Sequence, residues 1–473
     1  MPSLRPWEGL RDLCGKYGDI MGMKIIGSPV VVLNSADDIL QYLDRRSATT
    51  SSRPYTASHE LLGLTHIFSF MPYGDKWRVY RRATWQHFAP NVVTKYLPAM
   101  EWSSRVLLHK LLESPDRFQD HFQDTVGATL MKVIYGLDAK YENDEALMTI
   151  DKGLEAGREA LIPGNFLVDV LHFLRYLPSF FPSQRHFARL RAQAKNMHDM
   201  PYALHKAAAM RDEMGDCVVS GVLAQFVKNP DDDIYDISVN AEGDEVARGV
   251  TASIIAAGAD TTPDILQSFV LAMSLYPRVL QRAQAELDAA VGPDRLPDLA
   301  ECDALPYMYA IYLEVLRWMP VVPLGLAHNT TEDEQFGDYF LPADTMIIAN
   351  VWACLYDPNV YHHPEAFIPE RFMRDGKIDP DVRNPKDYVF GFGRRVCPGR
   401  HYADNAILLT ISHLIHVFDF QPPVDENGGV IVVEPKLVSE FVSRPEDCRC
   451  RIVARSPQAA ALIVDEFNQG RNQ

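Results

Sequence analysis

Apolar positions along the chain change period several times, and each change marks an element. Two short apolar runs between Ile20 and Leu33 flank Gly27-Ser28-Pro29, which predicts a β-hairpin. Asn34-Ser35 then caps a short helix through Leu43. An irregular loop opens at Arg53-Pro54 and ends in Phe68-Ser69-Phe70-Met71-Pro72-Tyr73-Gly74-Asp75. From Leu97 to Leu223 the apolar spacing is mostly helical. Within it, Pro163-Gly164 starts a new segment, and Pro178 and Pro182 interrupt a helix to leave Tyr176, Leu177, Phe180 and Phe181 in a loop. So much aromatic surface is either tucked into the core or dipped into a bilayer interface. After the acidic stretch at 229–233, the longest helical pattern runs from about Asp244 to Leu275 and closes at Tyr276-Pro277. Short strands follow Val321–His328, and a last apolar helix spans Tyr402 to Phe418. The pattern predicts a mainly α chain with a small β region.

Composition narrows the classes. The 473 residues are 47% hydrophobic, enough for a large core, and no repeat or low-complexity linker divides them. One domain over 1–473 is expected. A formal net charge of −17 excludes nucleic acid as a partner, because phosphate binding needs a basic surface. The seven cysteines are odd in number and scattered, which fits a reducing compartment rather than a disulfide framework. Cys448 and Cys450 lie in an alternating run and are expected to be ordinary strand residues, not half a metal site. No run of 18 consecutive apolar residues predicts a membrane span.

Candidate chemistry centres on Phe390-Gly391-Phe392-Gly393-Arg394-Arg395-Val396-Cys397-Pro398-Gly399. Gly391 and Gly393 let the backbone turn tightly and approach a flat ligand. Cys397 precedes a helix whose unpaired N–H groups favour a negative sulfur. Such a thiolate can be a nucleophile or a metal ligand. Arg395 offers a fork for a carboxylate and Phe390 an apolar plate, both of which favour the ligand. The bland alternative is a buried structural cysteine after a glycine-rich turn.

The Phe-x-x-Gly-x-Arg-x-Cys-x-Gly run resembles the haem-ligating loop of the cytochrome P-450 family, in which a Cys thiolate holds haem iron. The resemblance implies a single mainly helical domain, with haem b between a long distal helix and the proximal Cys397 helix. Cys397 would be the metal ligand, with Phe390, Gly393, Arg395 and Gly399 in its cofactor-binding loop.

Three further stretches match in the family's order. Trp77 and Arg81, four apart, share one helix face and could clamp a carboxylate. In the family such a pair holds a haem propionate; otherwise it is a surface cation–π pair. Ala256-Ala257-Gly258-Ala259-Asp260-Thr261-Thr262-Pro263 sits in the longest helix. Pro263 cannot donate to the Ala259 carbonyl, and Thr261 can bond Ala257 or Gly258 instead, so a kink with a water-sized gap beside Gly258 is expected. The stretch resembles the family's oxygen-activation motif, in which Thr261 and Asp260 would deliver protons; the alternative is a helix N-cap. Glu314, Arg317 and Arg371 match the family's Glu-x-x-Arg helix and its Pro-Glu-Arg-Phe partner, and would brace the layer under the Cys397 loop. The resemblance gives His328 a second propionate.

The implied reaction is monooxygenation: two electrons and O2 put one oxygen atom into a C–H bond or double bond and release water. A hydrophobic small-molecule substrate follows from apolar pocket candidates, namely Ile67, Phe68, Phe166, Ile255, Ala256, Val322, Leu324, Phe441 and Val442. No flavin or dinucleotide segment is visible, so the electrons would come from an NADPH-cytochrome reductase, with cytochrome b5 as a second donor. Lys386, Arg394 and Arg400 are candidate docking charges, unless they balance local carboxylates. Eukaryotic members carry an anchor in the endoplasmic reticulum membrane and face the cytoplasm. The chain opens about where their catalytic domain begins, so an anchor is expected ahead of it, and the chain as written would be soluble. The overall wording is most like fungal enzymes of the O-methylsterigmatocystin oxidoreductase type. Other readings are a haem-thiolate isomerase or dehydratase that does not use O2, a non-enzymatic haem-binding protein, and a haem-free helical scaffold.

Overall fold

The computed structural model of the protein describes residues 4–25, 27–140, 144–162, 165–211, 215–227, 229, 233–238 and 240–471. The segment start at Pro163-Gly164 and residues 230–232 of the acidic stretch lie outside the described residues. The N-terminal hairpin forms from β1 (Ile20–Ile25) and β2 (Ser28–Leu33), antiparallel with Ile20 opposite Leu33. Gly27 takes the positive φ of the turn. The predicted cap is present, since Ser35 Oγ accepts from Asp38 N at 3.1 Å. Its helix loosens after Ile39 into a wider turn through Arg45. β2 continues into a four-stranded sheet in the order β1-β2-β4-β3, where β3 is His328–Asn329 and β4 is Met346–Ala349. β2 and β4 run parallel, so distant segments share one sheet.

Helices supply the rest. α1 (Asp75–Phe88) carries the Trp77 motif. α2 (Leu97–Glu113), α3 (Phe118–Tyr135), α4 (Glu145–Leu161) and α5 (Pro182–Ala209) fill the region that reads as helical in sequence. α6 (Ala241–Leu275) is the longest and is buried over most of its surface. A helix apolar all round must be central, and α6 runs through the largest core cluster. α7 (Pro306–Trp318) and α8 (Arg400–Val417) pack into the same cluster.

Two expectations change. α6 stays helical straight through Pro263. The carbonyl that Pro263 orphans, Ala259 O, accepts from Gln123 Nε2 of α3 at 3.0 Å, so a side chain replaces the lost backbone bond. A Cβ at Gly258 would meet Leu130 Cδ1 at 2.9 Å, so α3 closes that side, and the open space beside Gly258 is the cavity described below. Cys448 and Cys450 precede the strand Arg451–Ala454 rather than lying in it. All seven cysteines are unpaired. The loop before α5 is exposed rather than tucked in, with Phe173 64%, Tyr176 81% and Phe180 65% exposed. Among the described residues no helix is long and apolar enough to cross a membrane.

Candidate active site

A cavity of about 420 Å³ lies between α6 and the Cys397 loop. Phe390, Gly391, Phe392, Arg395, Cys397, Pro398 and Gly399 line one part, and Ala256 through Gly258 with Asp260 to Thr262 another. The loop is closed by its own backbone, where Cys397 N donates to Phe390 O at 2.7 Å. α8 starts at Arg400, directly after Gly399, so Cys397 stands at a helix N-terminus as its spacing predicts. Burial nevertheless pushes the thiol up, against the Gly399 N–H and the Arg81 and Arg400 charges that pull it down. The helix alone does not ionise this sulfur; a bound metal ion would.

Gly393 does not touch the cavity. Its φ is +51°, its N–H donates to Asp44 Oδ1 at 3.0 Å, and an added Cβ would lie 2.5 Å from Leu43 O. The glycine is needed for close approach to the Leu40–Arg45 turn rather than to a flat ligand.

One wall of the cavity is cationic. Arg395 is buried, donating from Nε to Ser51 O at 2.7 Å, from Nη2 to Met71 O at 2.7 Å and from Nη1 to Phe68 O at 3.3 Å. Its guanidinium lies 4.5 Å from the Trp77 ring centroid. Arg53 is buried beside it and donates to the Ser69, Leu326 and Ala327 carbonyls. Arg81 also lines the wall. Among the described residues none of the three has a carboxylate partner. Burial, then Arg53 and Arg81, push Arg395 down to about 8, and burial pushes Arg53 down to about 9. Trp77 Nε1 is buried with no hydrogen-bond partner. His328 Nδ1 donates to Thr50 O at 2.7 Å, and burial followed by Arg53 holds the ring well below its ordinary value. Three guanidiniums and an orphaned N–H along one buried wall fit a ligand with carboxylates and an apolar body.

On α6, Thr261 Oγ1 donates to Ala257 O at 2.9 Å, one of the two carbonyls expected. Asp260 is 7% exposed, and its Oδ1 accepts from Arg158 Nε of α4 at 2.7 Å and also from Nη2. Burial raises this carboxyl and Arg158 opposes the rise. Glu314, Arg317 and Arg371 meet in one buried triad. Arg317 donates to both Glu314 oxygens at 2.7 and 2.8 Å, and Arg371 Nε to Oε1 at 3.1 Å.

Ile67, Phe68, Ala256, Val322, Phe441 and Val442 line the cavity. Phe166, Ile255 and Leu324 do not. Phe166 packs on Phe187 with ring centroids 4.8 Å apart, Ile255 is fully buried in the core, and Leu324 packs against the cluster around Leu10 and Met21. Ile254, Leu154 and Met197 stand on the cavity instead. Lys386 is not a free docking charge, because its Nζ lies 2.7 Å from Asp404 Oδ2. Arg394 is exposed and donates to Tyr73 OH. Sequence reasoning missed Arg53 and Arg158, lone arginines whose only local signal is charge.

A half-buried thiol at a helix start, a long helix across the cavity and a cationic wall define a mainly helical haem-thiolate protein. The chain belongs to the cytochrome P-450 family, whose model matches residues 3–440. It is 36% identical to Cytochrome P-450 monooxygenase COX2 of Coprinopsis cinerea over 454 residues, covering 95% of this chain and 85% of that relative. It is 34% identical to Cytochrome P-450 monooxygenase ple1 of Rhodocybe pseudopiperita, covering 98% and 88%. It is 32% identical to tryptamine 4-monooxygenase of Psilocybe cyanescens, covering 97% and 90%. The protein is therefore a haem-thiolate monooxygenase of fungal type, an oxidoreductase with haem as cofactor, O2 as oxidant, a small-molecule substrate and a redox partner.

Proposed function

We propose that the 473 residues form one catalytic domain whose cavity holds haem b, with Cys397 Sγ ligating the iron. Trp77, Arg81 and Arg395 receive the two propionates, joined by Arg53; His328, whose Nδ1 already donates to Thr50 O, joins them from Nε2 once the propionate charge protonates its ring. Phe390, Gly399 and Gly258 face its apolar body. The observation that carries this reading is the uncompensated cationic wall in the same cavity as the half-buried Cys397 thiol.

Bound haem supplies iron-centred activation of O2, so that one oxygen atom enters a C–H bond or double bond of the substrate and the other leaves as water. The chain's own groups do the rest. Asp260 and Thr261 hold and pass the protons consumed, from inside a cavity that apolar side chains keep dry. Ile67, Phe68, Ala256, Val322, Phe441 and Val442 select a hydrophobic small molecule by shape and area. The Glu314–Arg317–Arg371 triad fixes the backbone under the Cys397 loop through carbonyls of residues 355–366.

Electrons come from an NADPH-cytochrome reductase, with cytochrome b5 as a second donor, and exposed Arg394 and half-buried Arg400 are the docking charges left once Lys386 is paired. The exposed Phe173, Tyr176 and Phe180 fit the surface of a bilayer, which would put the enzyme on the cytoplasmic face of the endoplasmic reticulum membrane.

The test is the spectrum of reduced, haem-loaded protein under carbon monoxide. Wild type is expected to give the long-wavelength thiolate–carbonyl band, and Cys397→Ser to lose it while still binding haem. Wild type without that band would overturn the assignment of Cys397.

A further inference from the structure

One turn along α6 from Asp260 stands a second carboxylate, Asp264, which is 3% exposed. Side chains four apart on a helix share a face, with Cβ atoms about 5–6 Å apart. The two acids are held differently. Asp260 lines the cavity and carries the Arg158 guanidinium on Oδ1. Asp264 is set back from the cavity lining. Its Oδ1 accepts one bond, from Gln267 Nε2 at 3.2 Å, and its Oδ2 is buried with no partner.

The groups that face Asp264 explain why no cation claims it. They are Asp260 on its own helix, Arg158 on α4, and Glu440 and Arg444 on the turn that also carries Phe441. Arg158 is taken by Asp260, and Arg444 Nη1 donates to Glu440 Oε2 at 3.2 Å. Behind Gln267 lie Cys448, whose Sγ is 3.7 Å from Gln267 Oε1, and the exposed Gln119. An ionised carboxylate buried with one bare oxygen costs much more than the neutral, protonated acid in the same place. Burial first, and Asp260 second, push this carboxyl up to about 7.

We propose that Asp264 is an internal proton reserve, staying protonated beside ionised Asp260 and reloading it during turnover. The O–H bond of Asp264 breaks as a carboxylate oxygen of Asp260 gains the proton, the two carboxyls being brought together by side-chain rotation on one helix face. No electron moves in this transfer. Asp264 then regains a proton from solvent past Glu440 and Arg444, whose side chains are each about a third exposed. Monooxygenation consumes two protons with each O2 and electron pair, so a single ionised acid must be reloaded within the cycle. Asp264 acts through Asp260 and is a positioning residue. The inference rests on the monooxygenase reading and on the role given there to Asp260 and Thr261.

Asp264→Asn keeps the volume and the Gln267 contact, and three readouts test it. In the infrared, wild-type protein is expected to show a protonated-carboxyl C=O band that fades as pH rises through about 7, with or without haem, and Asp264→Asn to lack it. The second readout is thermal. A carboxyl raised on folding binds more protons folded than unfolded, so its contribution to stability falls as pH rises from about 4 to about 7. Melting temperature should drop over that window in wild type relative to Asp264→Asn. The third is turnover with a reductase, where Asp264→Asn should raise the hydrogen peroxide released per NADPH several-fold and move the near-neutral limb of the pH profile. A carboxyl band that survives in Asp264→Asn, or pH profiles of melting and peroxide release that superimpose on wild type, would overturn the proposal. If instead the haem reading is wrong, the carbon monoxide band is missing while the infrared and melting results stand, so the two failures are distinct.

Discussion

Arg317 and Arg371 have buried side chains with a carboxylate of their own; Arg53 and Arg395 are buried, and Arg81 half-buried, without one. In the first cluster Arg317 engages all five N–H donors, on Glu314 twice and on the Leu355, Pro364 and Ala366 carbonyls. Folding alone completes it. In the second, Arg395 engages three carbonyls and has donors to spare, while Trp77 Nε1 has no acceptor at all. Folding brings like charges together there and leaves the anion to come from outside. The first cluster is scaffold, and the second is a receptor that stays incomplete until its ligand arrives.

The largest expected effect breaks the complete cluster. Glu314→Gln strands two guanidiniums in a dry interior, which costs about 3–5 kcal/mol. The loss should be the same in haem-free and haem-loaded protein, read as the shift in denaturant midpoint. A shift confined to the loaded form would mean that Glu314 serves the cofactor rather than the fold.

Arg81→Gln comes next and should behave in the opposite way. Arg81 has like-charged neighbours, so the haem-free protein should unfold at nearly the wild-type midpoint. Haem retention should weaken by roughly 1.5–3 kcal/mol, the range for a hydrogen bond to a charged group. Haem transfer to a scavenger protein measures it. Equal losses in both forms would erase the distinction between the clusters.

How legible each cluster is in sequence follows from how it is built. Glu314 and Arg317 lie one helical turn apart, and Trp77 and Arg81 likewise, so local spacing shows both pairs. The Cys397 loop is a contiguous run, and the haem-thiolate reading and the mainly helical fold both start from it. Arg158 and Gln123 reach α6 from helices more than a hundred residues earlier, and nothing local marks them. Pocket lining fails for a related reason. On a helix one residue is a rotation of about 100°, so Ile254 rather than Ile255 meets the cavity, and only the packing of α6 fixes that phase. Gly393 shows the same limit, since its glycine answers to the Leu43 carbonyl, which sequence spacing could not bring near.

The smallest effect isolates one N–H. Trp77→Phe leaves a cavity that costs the haem-free and loaded forms alike, so only the difference between them bears on Nε1. In the haem-free protein the change also removes a buried donor that has nothing to bond, which offsets part of that cost. In the loaded protein it removes a hydrogen bond to a carboxylate. The loaded form should therefore lose about 1–2 kcal/mol more than the haem-free form, read from paired unfolding midpoints. Identical losses would show that the indole N–H stays orphaned when haem is bound and that Arg81, Arg395 and Arg53 hold the propionates without it.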